Sequence, residues 1–279
     1  MLKRIKGVLF LFIFFTFSTK AQQKQVLSKE LKEISGLEIY YDSLLLCHND
    51  SGNKSILYVI NVKGKVLKRV FVPIKNTDWE DLCKDNKGNY FLADVGNNLL
   101  NRDTLQILSW NEKNMIGDTL FEFSIHRFQY CNYKGEALRL NCESLFYYDN
   151  SLFLLTKIEN KKDSIQLFKL KIDRKFQKAE FICSFKIPKQ RSIFFDAVCS
   201  AKCFYEKVYF LTYSALYEIS INDLISTNST KKMKKIRSFP FLSQKEALCV
   251  HENQLYIANE RSTFIRRQKL HRVKWKKTK

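Results

Sequence analysis

The hydrophobic residues of this chain fall in short β-rich runs separated by polar or charged turns, and the runs follow a recurring phrase. Glu80-Asp81-Leu82-Cys83, Glu143-Ser144-Leu145-Phe146, Asp196-Ala197-Val198-Cys199 and Glu246-Ala247-Leu248-Cys249 each place an acid before a small or acidic residue, an aliphatic and an apolar residue. A turn later comes a second apolar run with a polar end: Tyr90 to Asp94, Leu152 to Thr156, Val208 to Thr212 and Leu255 to Asn259. A degenerate copy precedes them, in which Ser35-Gly36-Leu37-Glu38 leads to a run ending at His48 and Asn49. The anchors Ser35, Glu80, Glu143, Asp196 and Glu246 lie 45, 63, 53 and 50 residues apart, close to the roughly 40 to 50 of four-stranded propeller blades.

The unit between Glu143 and Asp196 shows the expected content: Glu143 to Tyr148, Ser151 to Ile158, Ser164 to Ile172 and Ala179 to Ile187 read as one four-stranded meander. After Glu246 only three runs remain, and the segment Gln23 to Leu27 is the candidate for the missing outer strand. Such a strand would close the ring and remove an open sheet edge. The pattern therefore predicts an all-β chain forming a single β-propeller of four-stranded blades, with five blades favoured. Six is the alternative, because Asn111 to Asp118 and Asn132 to Asn141, inside the long unit, read either as loops or as part of a collapsed extra blade.

The first 21 residues combine a basic start (Lys3, Arg4, Lys6), an apolar stretch from Val8 to Phe17 and small residues before a cleavage point at Ala21, the pattern of an export signal. The expected organisation is a signal peptide over 1–21, a propeller domain over 22–275 and a basic tail over 276–279, in a periplasmic or extracellular protein. No later run approaches the roughly 20 apolar residues of a membrane span. Formal charge is +20, of which the signal segment carries four basic groups and no acid, leaving +16 on the remainder. A basic surface attracts anions. Export and the lack of a recognition motif argue against nucleic acid as the partner.

Eight cysteines in an exported chain raise the question of disulfides. Cys83, Cys199 and Cys249 occupy the same place in the phrase, which would hold them too far apart to pair. Cys199 with Cys203, or Cys131 with Cys142, are the pairs a turn would permit. No spacing of cysteines or histidines suggests zinc or iron.

First strands line a propeller's channel, so Glu80, Glu143, Asp196 and Glu246 are expected to converge and are the candidate catalytic acids. Second strands bring Asn49, Asp94 and Asn259, followed by Asp50, Lys157, Tyr213 and Glu260. Gathered carboxylates must be protonated, paired or bound to a cation, with Lys157 an internal partner and calcium the candidate cofactor. Alternatively, repeated acids accept backbone N–H groups of the neighbouring blade and hold the ring together. The turns His48-Asn49-Asp50-Ser51-Gly52-Asn53 and Asp94-Val95-Gly96-Asn97-Asn98 set carboxylates, amides and glycine together at one face, making His48, Asn49, Asp50, Asp94, Asn97 and Asn98 candidate ligand residues. Asp50, Asp81 and Asp94 are the candidate metal ligands.

Ile34-Ser35-Gly36-Leu37, His48 to Gly52, Asp78-Trp79-Glu80-Asp81-Leu82 and Ala93 to Asn98, in this order, resemble a group of secreted bacterial β-propellers of largely uncharacterised activity. Glu143-Ser144-Leu145 with Thr156-Lys157, and Glu246-Ala247-Leu248 with Asn259-Glu260, fit the continuing pattern. Asn97 departs from an expected Asp and Cys142 from an expected Ala. The resemblance implies an exported propeller. The expected function is binding of a small polar ligand or divalent cation, or a scaffold for protein or glycan. The alternative is a glycosidase- or phosphoesterase-type hydrolase in which Glu80 and Glu143 divide acid and base duties. A serine esterase is disfavoured, since no Gly-x-Ser-x-Gly occurs and the four histidines lack triad spacing.

Overall fold

The computed structural model describes residues 23–41, 43–132, 134–160, 163–188, 193–226, 232–240, 243–252, 254–262 and 265–274. The expected export signal over 1–21 and the expected basic tail over 276–279 lie outside them. Among the described residues, no helix is long and apolar enough to cross a membrane.

The strand pairing groups the described chain into antiparallel meanders of four. The N-terminal strand β1 (Gln23–Val26) precedes the first meander, β2 (Ile34–Tyr41), β3 (Leu44–Asn49), β4 (Ile56–Asn61) and β5 (Val66–Phe71). The second begins with β6 (Trp79–Lys84), β7 (Asn89–Asp94) and β8 (Leu105–Asn111). Two short strands, β9 (Met115–Ile116) and β10 (Thr119–Leu120), then intervene before its outer strand β11 (Ser124–Cys131). After β12 (Ala137–Leu138) come β13 (Cys142–Tyr148), β14 (Ser151–Thr156), β15 (Ile165–Lys171) and β16 (Phe176–Phe185). A four-residue helix α1 (Ile193–Asp196) leads into β17 (Val198–Phe204), β18 (Lys207–Thr212) and β19 (Ala215–Ser220). Helix α2 (Ile221–Ile225) precedes the outer strand β20 (Lys234–Ser238). The last meander is β21 (Lys245–His251), β22 (Gln254–Asn259) and β23 (Lys269–Lys274), completed by β1, which pairs antiparallel with β23 from Gln23↔Arg272 to Val26↔Lys269.

The long unit after Glu80 does not form a separate meander among the described residues. Its β9–β10 hairpin adds to the outer edge of β5, and β12 pairs back on β11. Outer strands β11 and β16 also pair with each other in parallel and join two meanders into one sheet.

Successive inner strands β2, β6, β13, β17 and β21 pack side by side, and β21 packs against β2. The apolar side chains between neighbouring meanders form separate clusters. One set, around Trp79, Leu82, Tyr90 and Leu46, joins the first two meanders, and another, around Leu37, Cys47, Tyr58, Cys249 and Tyr256, joins the last to the first. Each fully buried large side chain contributes about 1.5 to 3 kcal/mol, so the closure is held by core packing as well as by the β1 ladder. The result is an all-β propeller with its inner strands around a central channel.

All eight cysteines are free thiols. The two pairs that a turn would permit, Cys199 with Cys203 and Cys131 with Cys142, are therefore not formed. Cys142 and Cys199 instead donate to backbone carbonyls, Cys142 to Leu155 and Cys199 to Lys245.

Candidate functional site: a carboxylate cluster at the channel mouth

A β-bulge sits at the same place in every inner strand. The ladder skips between Ile34 and Leu37, Trp79 and Asp81, Cys142 and Ser144, Val198 and Ser200, and Lys245 and Ala247. A bulged residue has no cross-strand partner, and the local kink re-aims its side chain. The bulged residues are Ser35 with Gly36, then Glu80, Glu143, Cys199 and Glu246. Three of the expected acids thus occupy equivalent positions.

Asp196 does not. Its phrase reads like the others, but register places Cys199-Ser200-Ala201-Lys202 where the other strands carry their acid and three following residues. Asp196 ends α1, buried, three residues before the bulge. Cys199 takes the acid's position and Lys202 the position of Cys83 and Cys249.

Glu80 and Glu143 are buried and Glu246 is half-buried, and the charge of Glu143 bears on both of the others. Burial pushes the Glu80 carboxyl well up, and Glu143, Asp50 and Asp78 add to the rise. Burial likewise raises Glu246, with Glu260 and Glu143 adding. Glu143 is paired with Lys157. Burial works against the Lys157 charge, but Glu143, Glu246 and Glu80 outweigh it and hold the ammonium charged. Lys157 also donates to Tyr213 Oη at 3.1 Å, whose hydroxyl lies 3.5 Å from Glu143 Oε2.

The densest part of the cluster lies between the first two meanders. Carboxylate oxygens of Asp50, Asp78 and Glu80 all fall within 4.8 Å of one another. Asp50 follows β3, where its backbone N–H donates to Glu33 O at 2.9 Å and Asn76 Nδ2 donates to its carbonyl at 2.9 Å. Asp78 precedes β6, held by its N–H donating to Asp94 Oδ1 at 3.0 Å. Asp78 Oδ1 and Glu80 Oε1 are buried without a hydrogen-bond partner. Burial pushes Asp50 up to about 7, despite a bond from the Ser51 N–H, with Asp78 and Glu143 adding to the rise. Gly96 backs this pocket: a Cβ there would stand 2.3 Å from Asp78 Oδ2 and from Glu80 Oε1. Only glycine leaves room for both carboxylates.

Asp81 and Asp94, by contrast, are engaged by protein donors and lie outside the group of three carboxylates. Asp94 accepts from Asp78 N, Arg102 Nη2 at 3.0 Å and Gln106 Nε2 at 2.8 Å. Asp81, fully buried, accepts from Lys202 Nζ at 2.7 Å, Leu82 N at 2.8 Å, Leu145 N at 3.0 Å, Ala201 N at 3.1 Å and Ser200 Oγ. Since β6 and β17 are not neighbours in the ring, the Asp81–Lys202 pair spans the channel. Holding the ring through backbone N–H groups is thus the work of Asp81, one residue past the repeated acid.

The remaining candidates divide by what they touch. His48 is fully buried, with Nδ1 3.1 Å from Asn49 O and its ring edge-on to Trp79. Burial pushes it down to about 4, which favours the neutral imidazole, and its Nε2 is buried without a hydrogen-bond partner. Asn49 donates from Nδ2 to Glu30 O at 2.7 Å. Asn97 accepts from Asn101 N and Arg102 N and donates to Arg102 O, closing its own turn, and Asn98 accepts from Asn141 Nδ2 at 2.8 Å. Asn259 donates to Glu260 O at 2.9 Å. Glu260 belongs to the mouth: burial raises it to about 7, with Asp50, Glu33 and Glu143 adding, and Gln244 Nε2 donates to it at 2.6 Å. Sequence reasoning missed Asp78 and Lys202 as site residues. Asp78 stood in a quoted motif beside Glu80, whereas nothing local marked Lys202 as the partner of a residue 121 positions away.

No family model matches this chain, and no curated protein matches it. Solved structures resemble it at low identity. The glutaminyl cyclase of Myxococcus xanthus is 10% identical with a TM-score of 0.52, over 90% of this chain and 94% of that one. A catalytically inactive virginiamycin B lyase from Staphylococcus aureus is 12% identical, TM-score 0.49, over 92% and 99%. The PQQ-bound aldose sugar dehydrogenase of Streptomyces coelicolor is 10% identical, TM-score 0.49, over 90% and 98%. Likeness at this identity speaks to architecture, and the shared architecture is the β-propeller.

Proposed function

We propose that this chain is an exported propeller whose channel mouth binds a hard divalent cation, calcium by preference, and through it a small polar ligand. The observation that carries the reading is the convergence of Asp50, Asp78 and Glu80 within 4.8 Å, with two of their oxygens buried and unpartnered. An all-oxygen donor set suits calcium or magnesium over softer metals. Calcium takes about six to eight oxygens, more than three carboxylates supply, so water or ligand oxygens complete its shell. Bound there, the cation would offer a small ligand open coordination positions. The chain's own residues do the rest. Gly96 leaves the space, Asp94 with Arg102 fixes the Asp78 backbone, and Lys157 offsets the charge of Glu143 beside the site. Calorimetric titration with calcium tests the reading, with Glu80→Gln as the control. Heat and thermal stabilisation in wild type, both lost in the variant, are expected. No heat with calcium or magnesium would end the proposal.

A second reading is favoured by one observation. Glu80 lacks a cation partner and is pushed toward its neutral form, whereas Glu143 is paired with Lys157, and such divergent environments separate a general acid from a general base. A hydrolase of this type would lose turnover on sugar or phosphate esters in Glu143→Gln. Turnover unchanged by that substitution would remove Glu143 from the chemistry.

A further inference from the structure

Lys245 and Glu246 are consecutive, yet they serve opposite environments. Glu246 joins the mouth acids, while Lys245 faces a separate cavity of about 270 Å³ lined from β1, β20 and β23. Lys24, Arg237, Lys245, Arg267, Lys269 and His271 line it, and among the described lining residues there is no Asp or Glu. Lys245 is only 3% exposed. Its ammonium lies 2.8 Å from His271 Nε2 and above the Phe239 ring, 5.6 Å from its centroid. Neither neighbour is an anion. Burial, with Lys24, Lys269 and Arg237 adding, pushes Lys245 down to about 7, and burial beside Lys245 pushes His271 down to about 3. A buried ammonium among like charges is costly to keep and is relieved by an anion seated between them.

We infer that this cavity is an oxyanion site, built for a phosphate or sulfate group carried on a small molecule. Its size is at the low end for ligand pockets, which suits a compact group. Lys245 and His271 form the buried floor, and the more exposed Arg267 and Lys269 form the rim, from which a fork-shaped guanidinium can clasp two oxygens. The cavity shares no lining residue with the acids of the channel mouth.

The test is calorimetry and thermal unfolding of the full chain with inorganic phosphate and with sulfate, against sodium chloride at equal ionic strength. Wild type is expected to bind one equivalent and to be stabilised beyond the chloride control. Arg267→Ala with Lys269→Ala, both surface changes that spare the fold, should weaken binding by about tenfold or more. Lys245→Met should abolish binding and, in the absence of oxyanion, raise the unfolding temperature, because it removes a buried unpaired cation. Stabilisation no greater than that of chloride would overturn the inference. So would oxyanion binding that both variants retain, or a Lys245→Met protein less stable than wild type without oxyanion. Vesicles of phosphatidylcholine with and without phosphatidic acid separate the sources of the group: binding confined to soluble ions assigns a soluble ester, and vesicle binding lost in the same variants assigns a headgroup.

Discussion

Substituting Glu80 by Gln should reverse the order of stability of wild type and variant, depending on calcium. The carboxylate oxygens of Asp50, Asp78 and Glu80 lie within 4.8 Å of one another. At an effective dielectric of about 20, two unit charges at that separation repel by about 3 kcal/mol, so ionising all three would cost about 10 kcal/mol. The cation-free protein must therefore hold at least one proton there, and burial makes Glu80 the carboxyl least able to ionise. Glutamine mimics the protonated acid. At pH 8 without calcium, the variant should be more stable than wild type by about 2 kcal/mol, because glutamine needs no proton taken up on folding whereas Glu80 does. With calcium at about a hundred times the wild-type Kd, wild type should gain about 2.7 kcal/mol and the variant almost nothing. Urea unfolding in chelator and in calcium, together with calorimetric affinities, measures both limbs. The reasoning is refuted if Glu80→Gln lowers stability in chelator, or if it keeps the full calcium gain.

Other outcomes follow from the same contacts. Asp50 and Glu260 are both raised to about 7 by burial and neighbouring acids, so the folded state holds their protons more tightly than the unfolded chain does. Their stabilising contribution is therefore present at about pH 4 and lost as pH rises through about 7. In chelator, the stability of wild type minus that of Asp50→Asn should fall over this interval, while calcium affinity rises. Flat pH dependence of both would contradict the assignment. Gly96→Ala would drive a methyl to 2.3 Å from Asp78 and Glu80. It should cost about 1 to 3 kcal/mol in denaturant unfolding and weaken calcium binding in calorimetry. Lys202→Met strands the fully buried Asp81 and should cost about 3 to 5 kcal/mol. Adding Asp81→Asn to Lys202→Met should recover part of that loss in the same assay, and simple additivity would show that the two do not interact.

The periodic phrase and its second run fix a ring of meanders because the alternation of apolar and polar positions is a local property of each strand. That information lies wholly within the chain segment that uses it. It located β13 to β16, the N-terminal strand completing the last meander, and the convergence of Glu80, Glu143 and Glu246. It misplaced Asp196, because a three-residue slip leaves the apolar-polar rhythm of Asp196 to Cys199 readable while moving the bulge to Cys199. Ladder register, not composition, decides which residue faces the channel.

Tertiary structure alone decided which acids are free. Asp81, Asp94 and Glu80 are equivalent as letters, but Asp81 meets Lys202 across the channel, Asp94 meets Arg102 and Gln106, and Glu80 meets other carboxylates. It also turned Lys245 away from its neighbour Glu246 and into a cavity of cations. The strands, their order and the supply of acids around an axis are legible in the chain because they depend on local periodicity. Hydrogen-bond satisfaction and burial depend on which distant segments the closed ring brings together, and these separate the bracing carboxylates from those whose oxygens lack a donor.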